Sequence, residues 1–196
     1  MEKNEKSTEQ FGGSAHLISG CDSTDSLVTR LRLGERVAAE TVVDIYYQQV
    51  YLYLRRLGHS RQISEDLTQE TFLSAWQHVG QLRGGKGLNG WLYRIAGNIS
   101  RQYWRRHHDT ADIDSIAEPE KAESAYGGVH GDQLIQLKKA VEHLPLKLRQ
   151  AVVLHYMQCL TISEAAEALG VREGTLKSRI NRALGILRKQ TVSENE

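Results

Sequence analysis

Residues 160–189 restrict the fold more than any other part of the chain, because their pattern matches two helices joined by a tight turn. Thr161 and Glu164 have the spacing of a capping box, which predicts that the first helix begins there. Gly170 stands where the turn needs a residue that tolerates positive φ. Apolar residues then recur at helical spacing, which predicts the buried stripe of a second helix. This stripe consists of Leu176, Ile180, Leu184 and Leu187.

The opposite face of that second helix is basic and polar. Side chains of this kind contact phosphates and base edges, so residues 161–182 are predicted to form a helix-turn-helix that docks on DNA. The alternative is an amphipathic helix pair whose basic face is only solvated. The candidate contact residues are Arg172, Thr175, Lys177, Ser178, Arg179, Asn181 and Arg182.

The net charge of +1 conceals two basic blocks separated by an acidic segment. Residues 27–107 and 133–189 each carry a net charge of +6, whereas residues 108–132 carry −6. Basic blocks are the electrostatic footprint of a nucleic-acid partner, although the same charges could be spread over solvated helix faces. The charge pattern therefore favours nucleic-acid binding by both blocks.

Helical periodicity without strand alternation predicts an all-α chain of two small helical domains joined by an acidic flexible linker. Gly58 is predicted to end one helix and Ser64 to cap the next. A glycine-rich loop should lead into a third helix from Trp91 to about His108. The predicted segments are a polar tail (1–25), a first domain (26–108), the linker (109–131), a second domain (132–190) and a short tail (191–196).

Several expectations concern the cell compartment and the core. The N-terminus lacks the apolar stretch of a signal peptide, and no run of about 18 apolar residues predicts a membrane span. Cys21 and Cys159 make no disulfide framework, so a reducing cytoplasm is expected.

Trp76 and Trp91 are predicted to be core residues, although Trp91 and Tyr93 could also stack on bases.

Three motifs in one order carry a family resemblance: SEDLTQETFLSAWQHV at 64–79, GWLYRIAGNISRQYWRR at 90–106 and GTLKSR at 174–179. Together they resemble the extracytoplasmic-function (ECF) group of bacterial sigma factors, over about residues 26–189. The resemblance implies a region 2 helical bundle and a region 4 helix-turn-helix. It also implies a protein that binds core RNA polymerase and directs it to promoter DNA through the −10 and −35 elements.

The resemblance assigns roles to particular residues. In the family, the segment matching Glu65, Asp66, Gln69 and Glu70 faces the clamp coiled coil of the polymerase, although acidic residues there could simply complement the helix dipole. For the −35 element, the resemblance adds Glu173 to the candidates above. The glycine loop and the next helix resemble the part that captures the −10 element and accepts a flipped base. The −10 contacts implied are Arg83, Lys86, Asn89, Arg94, Asn98, Arg101, Gln102, Arg105 and Arg106.

Some residues depart from the family pattern. Gln102 stands where Asp is usual and Leu88 where Phe is frequent, and both changes bear on the −10 sequence preference. In the family, the linker threads toward the polymerase active site, and an anti-sigma protein, which can be membrane-anchored, covers the binding faces. Such a partner is expected here, and the linker could alternatively be a solvated tether.

Two other classes of protein remain as alternatives. A stand-alone helix-turn-helix regulator would bind duplex DNA unaided, but residues 27–107 show no ligand or phosphate-acceptor module. An enzyme would need a phosphate loop, nucleophile elbow or paired carboxylates, and the sequence shows none. His155 and Cys159 share a helix face, yet two ligands do not make a zinc site. We therefore expect no catalytic role, cofactor, metal or small-molecule substrate.

Overall fold

The computed structural model describes residues 24–82, 87–107 and 131–193, and in these ranges every regular element is helical, which confirms the all-α prediction. A 3₁₀ turn at Val79–Gln81 follows α3, and a π-helical turn at Val153–Met157 follows α6. The helices are α1 (Thr24–Arg32), α2 (Arg36–Arg56), α3 (Arg61–His78), α4 (Leu88–His107), α5 (Gly131–Glu142), α6 (Leu146–Val152), α7 (Ile162–Leu169) and α8 (Glu173–Ser193).

Several predictions concern residues outside the described ranges. These are the polar N-terminal tail with Cys21, the loop residues Arg83 and Lys86, the linker at 109–130 and the last residues of the chain, 194–196. Within the described ranges, no helix is both long enough and apolar enough to span a membrane.

The turn between α2 and α3 sets the position of α3. Gly58 adopts φ 97°, which confirms that this glycine ends α2, because a residue with Cβ is strained there. The prediction that Ser64 caps α3 is wrong. Ser60 is the N-cap, and its Oγ accepts a hydrogen bond from the backbone N of Ile63 at 3.4 Å. The helix therefore begins one turn earlier than predicted, and Ser64 is buried inside it.

Helices α1 to α4 pack into a bundle around an apolar core. Val42, Tyr53, Leu67 and Leu92 come from three different helices and are all buried. Trp91 is half-buried and packs against this core. The core prediction for Trp76 is wrong, because this side chain is 43% exposed. The indole lies at the edge of the bundle, where one side lines a small cavity with Leu31, Phe72 and Trp91 and the rest is open to solvent.

The second half of the chain folds as predicted around its turn. Thr161 Oγ1 accepts from Glu164 N at 3.2 Å, and Glu164 Oε2 accepts from Thr161 N at 2.8 Å, which confirms the capping box. Gly170 ends α7 in the left-handed conformation with φ 64°. Leu176, Ile180 and Leu187 are buried and Leu184 is half-buried, so the predicted stripe of α8 is confirmed.

The two halves contact each other directly. Helix α4 of the first half packs against α7 of the second, and buried residues of both halves form one continuous apolar cluster. The sequence analysis described two domains on a flexible linker and did not predict this contact. Its cause is non-local: Arg149 and Gln150 of α6 reach residues about 50 to 90 positions earlier in the chain.

Candidate nucleic-acid and polymerase interface

The outer face of α8 collects the residues predicted to contact the −35 element. Arg172, Glu173, Thr175, Lys177, Ser178, Asn181 and Arg182 are exposed, and Arg179 is half-buried. At a helical period of about 3.6 residues, Thr175, Ser178, Arg179 and Arg182 share one side, whereas Lys177 lies on the opposite flank. Ser178 Oγ donates to the Gly174 carbonyl at 3.0 Å, which leaves its lone pairs available as acceptors. The structure therefore separates one polar row from a single flanking lysine.

The turn between α7 and α8 holds that row in place. The backbone N of Val171 donates to the Ala166 carbonyl at 2.9 Å, and the N of Gly170 donates to the Glu167 carbonyl at 3.0 Å. Val171 is half-buried against the core, as the sequence predicts. These contacts fix the angle between the helices, so the N-terminal turn of α8 projects as a unit. This is the part of a helix-turn-helix that enters a DNA groove.

A second basic and polar face runs along α4. Its residues lie within about one third of the helix circumference and are exposed, while Leu92, Ala96 and Ile99 of the same helix are buried. Arg101 donates to Asn98 Oδ1, so these two candidates are held together as a pair. The exposed face consists of Arg94, Asn98, Arg101, Gln102, Arg105 and Arg106.

The start of α4 differs from the rest of that face. Leu88 is completely buried and Asn89 is half-buried, so Leu88 anchors the helix in the core rather than meeting a strand. Tyr93 is also buried, which excludes base stacking by this ring in the present conformation. Trp104 is half-buried and stacks on His59, with ring centroids 4.8 Å apart. The aromatic rings of α4 are therefore mainly structural.

The outer face of α3 holds the residues predicted to meet polymerase, together with two that were not predicted. Asp66, Gln69 and Glu70 are exposed, and Glu65 pairs with Arg61 at 3.1 Å. Leu73 is 66% exposed and continues the same side of the helix, four residues after Gln69 and three after Glu70. Trp76 lies one turn further along. Helical spacing alone could have revealed this apolar extension, because Leu73 falls outside the buried register of Leu67, Thr71 and Phe72.

Buried polar groups near the contact of the two halves have strongly shifted pKa values. Burial, and then the nearby Arg149 guanidinium, lower the pKa of His59 to about 4. Burial also lowers the pKa of Arg149 to about 10, although Glu142 opposes this shift. Burial raises the pKa of Tyr53 and of Tyr93. At neutral pH, His59 and both tyrosines are therefore neutral, and the charge buried here is that of Arg149.

The pair considered for zinc does not form a larger cluster. His155 Nδ1 lies 2.8 Å from the Leu160 carbonyl oxygen, so this ring nitrogen is engaged with the backbone. Cys159 is exposed. In residues 24–82, 87–107 and 131–193, no three His, Cys, Asp or Glu side chains are grouped as metal ligands.

Comparisons with known proteins bear on these faces. The model of Sigma-70 region 2 matches residues 42–110, and that of Sigma-70, region 4, matches residues 134–187. The chain is 28% identical to the ECF RNA polymerase sigma factor SigW of Bacillus subtilis over 176 residues, which cover 83% of this chain and 94% of that protein. It is 31% identical to the ECF RNA polymerase sigma factor SigM of Mycobacterium tuberculosis over 152 residues, which cover 76% and 75%.

A solved structure has the same fold. It is the sigma factor RpoE from Bartonella quintana in complex with the anti-sigma factor NepR, with a TM-score of 0.64, 25% identity, and coverage of 78% of this chain and 95% of that one. The two region models together match more than half of the chain, and they match it in the order of its two helical halves. The chain therefore belongs to the ECF group of bacterial RNA polymerase sigma factors.

Proposed function

We propose that this sigma factor uses its two basic faces, on α4 and α8, to bring core RNA polymerase to promoters. The observation that carries the proposal is the position of these faces within the two matched regions. Residues 26–108 would bind core polymerase and the −10 element, and residues 132–190 would bind the −35 element. The acidic linker, 109–131, would join them inside the polymerase.

The α8 row provides base and backbone contacts for the −35 element. Thr175, Ser178, Arg179 and Arg182 share one side of the helix, so they can enter the major groove together. Lys177 on the flank is placed for a phosphate, which adds affinity but no sequence preference. Glu173 can accept from a cytosine amine at the start of the helix. We therefore assign recognition of the base sequence to the α8 row. Lys177 and Arg172 would contribute affinity for any DNA sequence.

The α4 face provides a basic track for the opened −10 strand. Unstacking a base costs a few kcal/mol, and a protein without an energy source offsets this cost by binding the open strand better than the duplex. Arg94, Arg101, Arg105 and Arg106 can follow the phosphates, while Asn98 and Gln102 can hydrogen-bond to bases. Arg83, Lys86 and Asn89 of the glycine-rich loop would complete this site.

The α3 face provides the polymerase contact. Stable interfaces combine an apolar centre with a polar rim. Leu73 and Trp76 supply exposed apolar surface, and the acidic and amide side chains beside them supply the rim. The rim consists of Glu65, Asp66, Gln69 and Glu70. We therefore extend the site predicted from sequence by these two apolar residues.

The regulatory partner and the compartment follow from the same proposal. The solved relative in complex with an anti-sigma factor supports an anti-sigma partner for this chain as well. An anti-sigma protein that covers the α3 and α8 faces would block polymerase and DNA together. The chain would act in the cytoplasm, without a catalytic role, cofactor or metal of its own.

Binding measurements with and without core polymerase separate this proposal from a stand-alone regulator. A fluorescent promoter duplex is titrated with the purified chain alone, with core polymerase alone and with both. We expect tight, sequence-specific binding only when both are present, and weak binding by the chain alone. Equally tight duplex binding by the chain alone would support the regulator class instead.

A further inference from the structure

A small cavity opens to solvent at the edge of the first helical bundle. We call it the tryptophan cavity, because Trp76 of α3 and Trp91 of α4 form two of its sides. Leu31 of α1 forms a third side, and the open space is about 330 Å³ including the mouth. Trp76 is 43% exposed and Trp91 is half-buried. Both indoles therefore retain apolar surface that a further side chain can cover.

The walls of the cavity favour an aliphatic occupant. The six other lining residues are alanine, valine, leucine or phenylalanine, so the indole N–H groups are the only polar groups among the lining side chains. A nucleobase carries several donors and acceptors on its edges, and burying these without partners costs free energy. An aliphatic side chain loses no hydrogen bond there and removes apolar surface from water. The cavity therefore suits a leucine or an isoleucine better than a base.

The chain carries such side chains close to the cavity. Leu31 belongs to α1, which begins at Thr24, directly after the N-terminal segment of residues 1–23. In this mainly polar segment, Leu17 and Ile18 are adjacent large aliphatic residues. A segment joined to its site by a short stretch of chain acts at an effective concentration of about millimolar. It therefore has an advantage over a partner that must diffuse to the cavity.

The stretch of chain between this pair and α1 is long enough. Leu31 lies seven residues after Thr24, or about 10 Å along the helix at about 1.5 Å per residue. Ile18 lies six residues before Thr24, and six extended residues span about 20 Å. Ile18 can therefore reach the cavity even if the chain reverses direction. Gly20 lies in this stretch and can adopt the backbone conformations that a reversal needs.

The charge of the segment also favours this occupant. Residues 1–23 contain four acidic and two basic residues, a net charge of −2, whereas residues 27–107 carry +6. One positive charge lies at the cavity itself, because Arg32 follows Leu31 and donates to the Gly80 carbonyl at 3.1 Å, next to Val79 of the wall. Opposite charges attract the segment to this surface.

We propose that Leu17 and Ile18 dock in the tryptophan cavity and make the N-terminal segment part of the first helical bundle. The segment turns back along α1 and covers the sides of Trp76 and Trp91 that face the cavity. This docking does not depend on the proposed promoter function, because it concerns contacts within the free chain.

Nuclear magnetic resonance of the full-length chain tests the docking. Trp76, Trp91 and Trp104 are the three tryptophans and give three indole N–H signals. A nitroxide is attached at Ala15→Cys in a Cys21→Ser/Cys159→Ser background, and its reduced form is the reference. We expect strong paramagnetic broadening at Trp76 and Trp91 and little at Trp104, which lies about 20 Å beyond Trp91 along α4. Equal broadening at all three signals, or none at any, would overturn the proposal.

Two pairs of substitutions separate docking from mere proximity of the segment. Leu17→Glu/Ile18→Glu puts charges where the cavity requires aliphatic side chains, so the broadening at the two cavity tryptophans should be largely lost. Thr8→Glu/Gln10→Glu adds the same charge outside the docking pair and should retain the broadening. Undiminished broadening in the first variant would contradict the proposal. All four positions precede the described helices, and circular dichroism checks that the helices are retained.

A nitroxide on the bundle tests the same contact if the label at position 15 disturbs docking. Gln77 is exposed and adjacent to Trp76, whereas Gln62 is exposed about 22 Å away along α3. The label at Gln77→Cys should broaden the backbone N–H signals of Leu17 and Ile18, and the label at Gln62→Cys should not. Equal effects of the two labels would overturn the docking.

A single DNA strand tests the competing occupant, a base. The strand carries the −10 block that this chain selects in transcription, and it is added to the chain labelled at position 15. If the label leaves Trp76 unaffected and the strand shifts its signal, the cavity binds a base and the proposal is overturned. If the chain directs no transcription at all, the promoter function fails, while the comparison of labelled free chains still decides the docking.

Discussion

The imidazole Nε2 of His59 lies 2.7 Å from the Oγ of Ser100, and this pair joins the turn after α2 to the middle of α4. His59 is only 3% exposed and is stacked on Trp104. Protonation would place a second charge near the buried guanidinium of Arg149. The pair therefore makes the folding of the first half sensitive to acid.

We predict that protonation of His59 lowers the free energy of unfolding as the pH falls from 6.5 to about 4. Its folded pKa is about 4, below the ordinary 6.5, so the unfolded chain binds a proton first as the pH falls. Stability present above pH 6.5 is then lost progressively, by up to about 3 kcal/mol at about 1.4 kcal/mol per pKa unit. The free energies of unfolding of wild type and His59→Gln, measured in urea, should differ less and less as the pH falls from 6.5 to about 4. A difference constant with pH would contradict the account, and His78→Gln serves as the exposed control.

We predict that Arg149→Lys destabilises the chain by about 1–3 kcal/mol. The guanidinium donates to the carbonyl oxygens of Leu57 and Leu144 at 2.9 and 3.0 Å, and also to that of Glu142. A single ammonium cannot reach all of these acceptors, so buried carbonyls are left unpaired. The free energy of unfolding in urea measures the effect. Arg36→Lys, on an exposed arginine, should change it little, and equal losses in the two variants would refute the prediction.

We predict that Arg179→Ala and Lys177→Ala weaken promoter binding in different ways. Arg179 belongs to the α8 row, so its loss should cost about 1–3 kcal/mol and relax preference at one −35 position. Lys177 lies on the flank, so its loss should weaken binding equally for all promoters and reduce the salt slope by about 1. Holoenzyme binding to a set of −35 variants at several salt concentrations distinguishes the two. A uniform loss for Arg179→Ala would reassign that residue to a phosphate.

We predict that Leu73→Asp reduces affinity for core polymerase at least about tenfold, because it places a charge at the centre of the α3 face. Leu33→Asp is the matched control, since Leu33 is 74% exposed but lies at the turn after α1. Both proteins should have wild-type circular dichroism. Equal binding by the two variants would show that the α3 face is not the polymerase contact.

Helix ends were predictable where local chemistry decides them. Gly58 and Gly170 occupy left-handed positions, and the Thr161–Glu164 capping box involves residues three apart. Ser60 and Ser64 both stood near the start of α3. The sequence pattern could not choose between them, because the choice depends on which hydroxyl is buried by the rest of the bundle. Local sequence patterns therefore located the helices, but they placed the start of α3 one turn too late.

Other features depend on contacts that no local pattern contains. Trp76 fits the apolar periodicity of α3, and an apolar residue at such a position can face either a core or a partner. Arg149 looked like one more basic residue of the second block, yet it is 8% exposed and donates a hydrogen bond to the Leu57 carbonyl in the other half of the chain. The positions of the polar faces of α4 and α8 were predictable from helical period. Their DNA-contact roles stay predictions.

Run-off transcription with purified core polymerase and a template library with randomised −35 and −10 blocks tests the central claim most directly. The account predicts transcripts that depend on this chain and start at a fixed distance from two enriched sequence blocks. Absence of such transcripts, together with tight duplex binding by the chain alone, would contradict it.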